Sequence, residues 1–177
     1  IYATRGLDDR VEQSLREAFD VALGRMIAQG PYPSLRAIAS TCGKLNRLPL
    51  LQESVDNLNK TFRQAPISMI IATEYAKLGQ KDDAKKSLAK AIAAYEKLSS
   101  NNASKQLVIL EVVSARNVFQ NAGMLDQLPD VAALVKNAYS DKRFSNEREI
   151  CYVAKKLVDC DRYSKAVDIA ELLGDER

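Results

Sequence analysis

Apolar side chains recur every three to four positions along almost the whole chain, which is the period of an α-helix. No stretch alternates apolar and polar residues over the length of a strand. The first helix is predicted from Leu7 to Gln29, with Val11, Leu15, Ala18, Phe19, Ala22, Leu23 and Met26 as its apolar stripe. Asp8 and Asp9 suit the positive end of its dipole. Gly30-Pro31-Tyr32-Pro33 interrupts the pattern, and Ser34 is placed to cap a helix from Leu35 to Leu45. A helix with Pro49 in its first turn follows, to about Asn59. Ala65-Pro66 opens a helix that ends at Gly79, and Asp82-Asp83 starts one that reaches Leu98. The polar loop 99–102 leads into a long helix, Ala103 to Asn121, closed by Gly123. Further helices are predicted from Gln127 to Tyr139 with Pro129 in the first turn, from Ser145 to Cys160, and from Tyr163 to Leu173. Links this short force successive helices to run antiparallel. The pattern therefore predicts nine helices: one N-terminal helix and four hairpins.

One hairpin carries a recognisable internal pattern. Ala72, Tyr75, Gly79, Ala84, Leu88 and Ala91 set small, large, turn, small, bulky and small residues at fixed spacing. Small residues let two helices approach, the large ones fill the space beside them, and glycine makes the turn. This segment resembles the tetratricopeptide repeat. Weaker copies follow Ala39, Arg116 and Ala154, so the four anchors lie 33, 44 and 38 residues apart against a family period of about 34. The resemblance implies an all-α fold, a right-handed α-α superhelix of about four hairpins plus an N-terminal helix. Residues 1–30 would pack on a solenoid of repeats at 31–64, 65–100, 101–142 and 143–177. A hairpin of this kind cannot bury its apolar face alone and must stack on neighbours.

In the family, the first helix of each hairpin lines a concave groove. Carried over by position, the groove takes Arg36, Ser40, Gly43 and Lys44 from the first hairpin and Met69, Thr73, Ala76 and Lys77 from the second. It takes Val113, Asn117, Gln120 and Asn121 from the third and Cys151, Lys155, Val158 and Asp159 from the fourth. The resemblance implies a protein-interaction scaffold that holds a peptide or protein partner there. Basic and amide groups on such a lining suit an extended peptide with an acidic side chain. Some family members clamp a C-terminal carboxylate with a Lys and an Asn one turn apart. Arg36 and Ser40 stand at those places, so chaperone-tail binding is not expected. The alternative class is a regulatory or dimerisation domain of a larger enzyme or sensor.

Composition narrows the remaining readings. The 177 residues carry 26 Lys+Arg and 23 Asp+Glu, a net charge of +3, with both signs mixed along the chain. That does not argue for nucleic acid or an anionic membrane surface. Leu35 to Arg47 has the outline of a helix-turn-helix, but Leu48-Pro49-Leu50-Leu51 stands where base-reading side chains belong. Lys81, Lys85, Lys86 and Lys90 form a basic strip that reads first as a solvated face. Histidine is absent, which removes the commonest general base and zinc ligand. There is no phosphate-binding loop and no metal-ligand spacing, so the expectation is a non-enzyme without a cofactor. Cys42, Cys151 and Cys160 read as free core thiols in a reducing, cytoplasmic setting. The periplasm is the alternative, and a Cys151–Cys160 bridge would be compatible with it. No apolar run is long enough to span a bilayer, so no membrane insertion is expected. The chain begins without methionine and ends at Gly-Asp-Glu-Arg, as a piece of a longer or processed protein would.

Overall fold

The computed structural model describes residues 2–25, 33–58, 61–99 and 103–138, together with Lys155. The fold is all-α. Among the described residues there are seven α-helices: α1 (Tyr2–Arg25), α2 (Pro33–Lys44), α3 (Leu48–Asp56), α4 (Thr61–Lys77), α5 (Lys81–Glu96), α6 (Ala103–Asn121) and α7 (Val131–Ala138). A 3-10 turn, Leu125–Gln127, precedes α7. Of the two helices predicted after residue 143, only Lys155, which is helical, lies among the described residues. None of the described helices is long and apolar enough to cross a membrane.

Helix α4 is the centre of the molecule. It pairs with α5, packs along α6 and also touches α2 and α3. Every residue from Ala65 to Ala72 is buried, as a helix covered on all sides must be. This run holds Ile67, Met69, Ile70 and Ile71, all at 2% exposure or less. Helix α4 is already helical at Thr61, four residues before the expected Ala65-Pro66 opening, so Pro66 lies inside it rather than at its first position. Pro49 does occupy the first turn of α3, where its missing N–H is no loss.

Helices α2, α4 and α6 end in the same backbone motif. At α4, Gly79 takes φ +73°. Its N–H donates to Ala76 O at 3.1 Å, and that of Gln80 to Tyr75 O at 3.0 Å. At α6, Gly123 takes φ +66°, with Gly123 N to Gln120 O at 3.0 Å and Met124 N to Phe119 O at 2.8 Å. At α2 the residue is Asn46, φ 55°, with Asn46 N to Gly43 O at 3.0 Å and Arg47 N to Cys42 O at 2.7 Å. Each pair of bonds is a Schellman cap, which satisfies carbonyls left over at the helix end.

Side chains then tie the pairs together. Arg16 reaches Glu53, and Arg47 reaches both Asp8 and Glu12, so α1 is held to α3 and to the α2–α3 turn. Phe19, Ala22 and Leu23 of α1 are buried. From α5, Ser87 donates to Gln52 of α3 at 2.9 Å and Tyr95 donates to Leu134 O of α7 at 2.6 Å. The buried Lys105 of α6 donates to Asn137 Oδ1 at 2.6 Å, and its Nζ lies 4.9 Å from the Tyr95 ring centre.

Helix α7 begins at Val131, not at Gln127 as the pattern predicts. Leu128 precedes Pro129 and is extended, with ψ 138°, because the proline ring disfavours helical backbone in the residue before it. Asp130 then starts the helix, its Oδ1 accepting from Ala132 N–H at 3.2 Å.

Candidate functional site

A cavity of about 330 Å³ opens between α2, α4 and α6. Helix α4 contributes Ile70, Thr73, Glu74 and Lys77, and α6 contributes Glu111, Ser114, Ala115 and Val118. Both sets follow the spacing i, i+3, i+4, i+7, which is one face of a helix. Arg36, Ala37 and Ser40 of α2 close the third side.

Two carboxylates face this cavity from nearly dry positions. The Glu111 side chain is 7% exposed and that of Glu74 is 10% exposed. Their cations come from the rim: Arg36 is 47% exposed and Lys77 is 49% exposed. Arg36 spans from α2 over α4 to α6 and grips Glu111 as a fork. Its Nη2 donates to both carboxylate oxygens at 2.9 Å, and its Nε donates to Oε1 at 3.3 Å. Such two-pronged pairing is the strong form of an ion pair. Lys77 Nζ donates to Glu74 Oε1 at 2.6 Å, one helical turn away. Burial pushes the pKa of Glu111 above the ordinary carboxylate value, and this outweighs the pull of Arg36 in the other direction.

The sequence-derived groove residues fall into four groups: on the cavity wall, exposed away from it, buried, and outside the described residues. Arg36, Ser40, Thr73 and Lys77 come together on the cavity wall. Lys44 is exposed beyond it, at the end of α2. Met69 is fully buried at 0% exposure and belongs to the core, because its turn of α4 is covered on every side. Asn117, Gln120 and Asn121 are exposed on α6 but do not line the cavity. The lining there sits one turn further from the Gly123 cap than the Gly79-anchored register of α4 predicts. Gly43, Ala76 and Val113 are buried. A Cβ on Gly43 would already stand 3.5 Å from Leu78 Cδ1, so that position is a helix contact and not a lining one. Lys155 is exposed, while Cys151, Val158 and Asp159 lie outside the described residues. Cys42 is buried and free, and burial raises its thiol pKa. Cys160 lies outside the described residues.

The pattern reading passed over Glu74 and Glu111. Each is a single carboxylate inside an apolar run: Met69-Ile-Ile-Ala-Thr-Glu74-Tyr-Ala76 and Leu107-Val-Ile-Leu-Glu111-Val-Val113. That shared context was the available signal, since a carboxylate on a buried helix must find a cation or a cavity. Their presence also changes the electrostatics. The basic lining expected from Arg36 and Lys77 is already neutralised, so it is not a free positive surface for an acidic side chain.

The comparisons with known proteins add no relative. No protein-family profile, curated protein or solved structure matches the chain.

Proposed function

We propose that the chain is a protein-interaction scaffold of tetratricopeptide-like hairpins, wound as a right-handed superhelix. A partner peptide or protein segment lies across α2, α4 and α6. The observation that carries this reading is the cavity itself: neighbouring first helices of successive hairpins turn the same i, i+3, i+4, i+7 face toward one opening. The three Schellman caps support the repeat, since α2, α4 and α6, the first helices of the proposed hairpins, end alike although the connections that follow differ in length. Clefts between helices are common places for a binding site, and this one is mostly polar, with seven polar or charged lining residues beside Ala37, Ile70, Ala115 and Val118. The role is binding and not catalysis. The free, buried Cys42 suits a reducing, cytoplasmic setting.

The test is affinity capture from native extract with mass spectrometry, using two tryptophan variants. Ser114→Trp fills the cavity from an exposed lining position, and Ala89→Trp places the same bulk on the exposed outer face of α5. The expected result is a specific protein captured by wild type and Ala89→Trp but lost from Ser114→Trp, with helicity by circular dichroism equal in all three. Loss from Ala89→Trp alone would move the partner to the outer face and overturn the groove reading.

A further inference from the structure

Charge in the cavity is sorted by depth. The negative groups, Glu74 and Glu111, are about nine-tenths buried, and the positive groups that answer them are half in water. Carboxylates on α4 and α6 are fixed in place by short side chains on packed helices. Arg36 and Lys77 reach in on long stems, which lose and regain rotamer freedom readily. The site is therefore a fixed anionic interior with detachable cations.

Glu111 also shows which cation fits. It holds a guanidinium through three contacts of 2.9, 2.9 and 3.3 Å. The surrounding wall suits such a group: Ile70, Ala115 and Val118 offer apolar surface for a methylene stem. The hydroxyls of Ser40 and Ser114 also line the cavity, where they can accept from remaining N–H groups. An incoming carboxylate would instead have to lie beside two buried carboxylates, a like-charge arrangement that interfaces avoid.

We propose that this cavity receives an arginine side chain of the partner, and that Arg36 occupies the arginine's place while the partner is absent. The inference rests on the groove reading above and names what the groove reads. The upward displacement of the Glu111 pKa agrees with it, because Arg36 does not fully offset the burial of that carboxylate. Replacing Arg36 by a partner arginine would free α2 from its bridge to α6. The Arg36 side chain is half exposed already, so it can swing into water, and the three contacts that Glu111 would lose are restored by the incoming guanidinium.

The experiment uses capped pentapeptides, Gly-Ala-Xaa-Ala-Gly, with arginine, citrulline, lysine or aspartate at the centre. Binding to the full chain is followed by amide NMR shifts at Ala37, Ser114 and Ala115. The arginine peptide is expected to bind wild type, and the citrulline peptide, equal in shape without charge, is expected not to. Arg36→Ala should bind the arginine peptide about tenfold or more tightly than wild type, since the competing internal group is gone. Glu111→Gln should lose it. Circular dichroism checks that both variants fold, and the citrulline comparison on wild type needs no variant at all. Three results would overturn the assignment. These are an aspartate peptide that binds and is lost from Arg36→Ala, equal binding of arginine and citrulline peptides, or no arginine binding to either wild type or Arg36→Ala. If any of these appears while partner capture still depends on Ser114, the groove reading stands and only the arginine assignment falls.

Discussion

Between Lys77 and Lys81 the chain reverses from α4 into α5 within three residues, through a Schellman cap on Gly79. Between Asn121 and Val131 the same reversal starts with the same cap on Gly123 and then takes a 3-10 turn, an extended Leu128 and Pro129. The two helix ends are built alike. Tyr75 and Phe119 each stand four residues before the turn glycine, and both are buried. What differs is the start of the second helix: α5 begins at Lys81, directly after the Gly79 turn, and α7 only at Val131, after the 3-10 turn and Pro129. The turn and the packing residue before it thus form one local unit, while the point at which the returning helix starts is set separately. Here one proline sets it.

The largest expected effect tests the equivalence of Tyr75 and Phe119. Phe119 is fully buried, so Phe119→Ala should destabilise by about 3–5 kcal/mol in urea unfolding. Tyr75 keeps 6% exposure, and Tyr75→Ala should lose less. An equal loss at both would make the α6 end no more deeply packed than the α4 end.

Next come the turn glycines. Gly79→Ala and Gly123→Ala should each lose about 1–2 kcal/mol, the strain of a Cβ at positive φ. Among the described residues nothing lies within 4 Å of a Cβ at Gly79, and at Gly123 only Lys81 Nζ approaches, at 3.6 Å. The two losses should therefore agree; a larger one at Gly123 would mean that its longer connection adds a constraint the Gly79 turn lacks.

A smaller effect separates the returning helices. Asp130→Ala removes the cap of α7 and should lower stability by about 1 kcal/mol, read from thermal unfolding. Gln80, the residue before α5, makes no side-chain cap bond, so Gln80→Ala should change little. A comparable loss at Gln80 would show that the start of α5 depends on its flank as α7 does.

The smallest effect concerns the cavity and is read as a pH slope. Glu111 binds its proton more tightly in the fold than in the unfolded chain. Its stabilising contribution is thus fully present below the ordinary carboxylate pKa and is lost as pH rises through the raised folded value. Unfolding free energies of wild type, relative to Glu111→Gln, should fall over that rise. A difference that stays flat with pH would mean that Arg36 compensates the burial of Glu111 completely.

Much of this could be read from residue order. The helical period placed the C-terminal end of α6 at Asn121, and the small-large-glycine spacing located the α4–α5 turn. These are local properties: a period of side chains, and a glycine where the backbone must turn left-handed. The late start of α7 was legible too, in the rule for residues before proline, although the apolar period runs straight through it.

The site was legible only in part. Arg36, Ser40, Thr73 and Lys77, which the tetratricopeptide resemblance points to, do line the cavity. Met69 did not, because the sequence cannot say that α4 is covered on the side where it lies. Asn117, Gln120 and Asn121 did not, because how far α6 slides along α4 is set by which side chains interlock across the two helices. Glu74 and Glu111 were visible as carboxylates in apolar runs, without a partner to assign. By itself the sequence determined helix period, turn positions and the supply of charges, since each depends on neighbours within a few residues. Only the tertiary structure decided which charges meet, because Arg36 and Glu111 are 75 residues apart in the chain and are joined only by the packing of α2 and α6 on either side of α4.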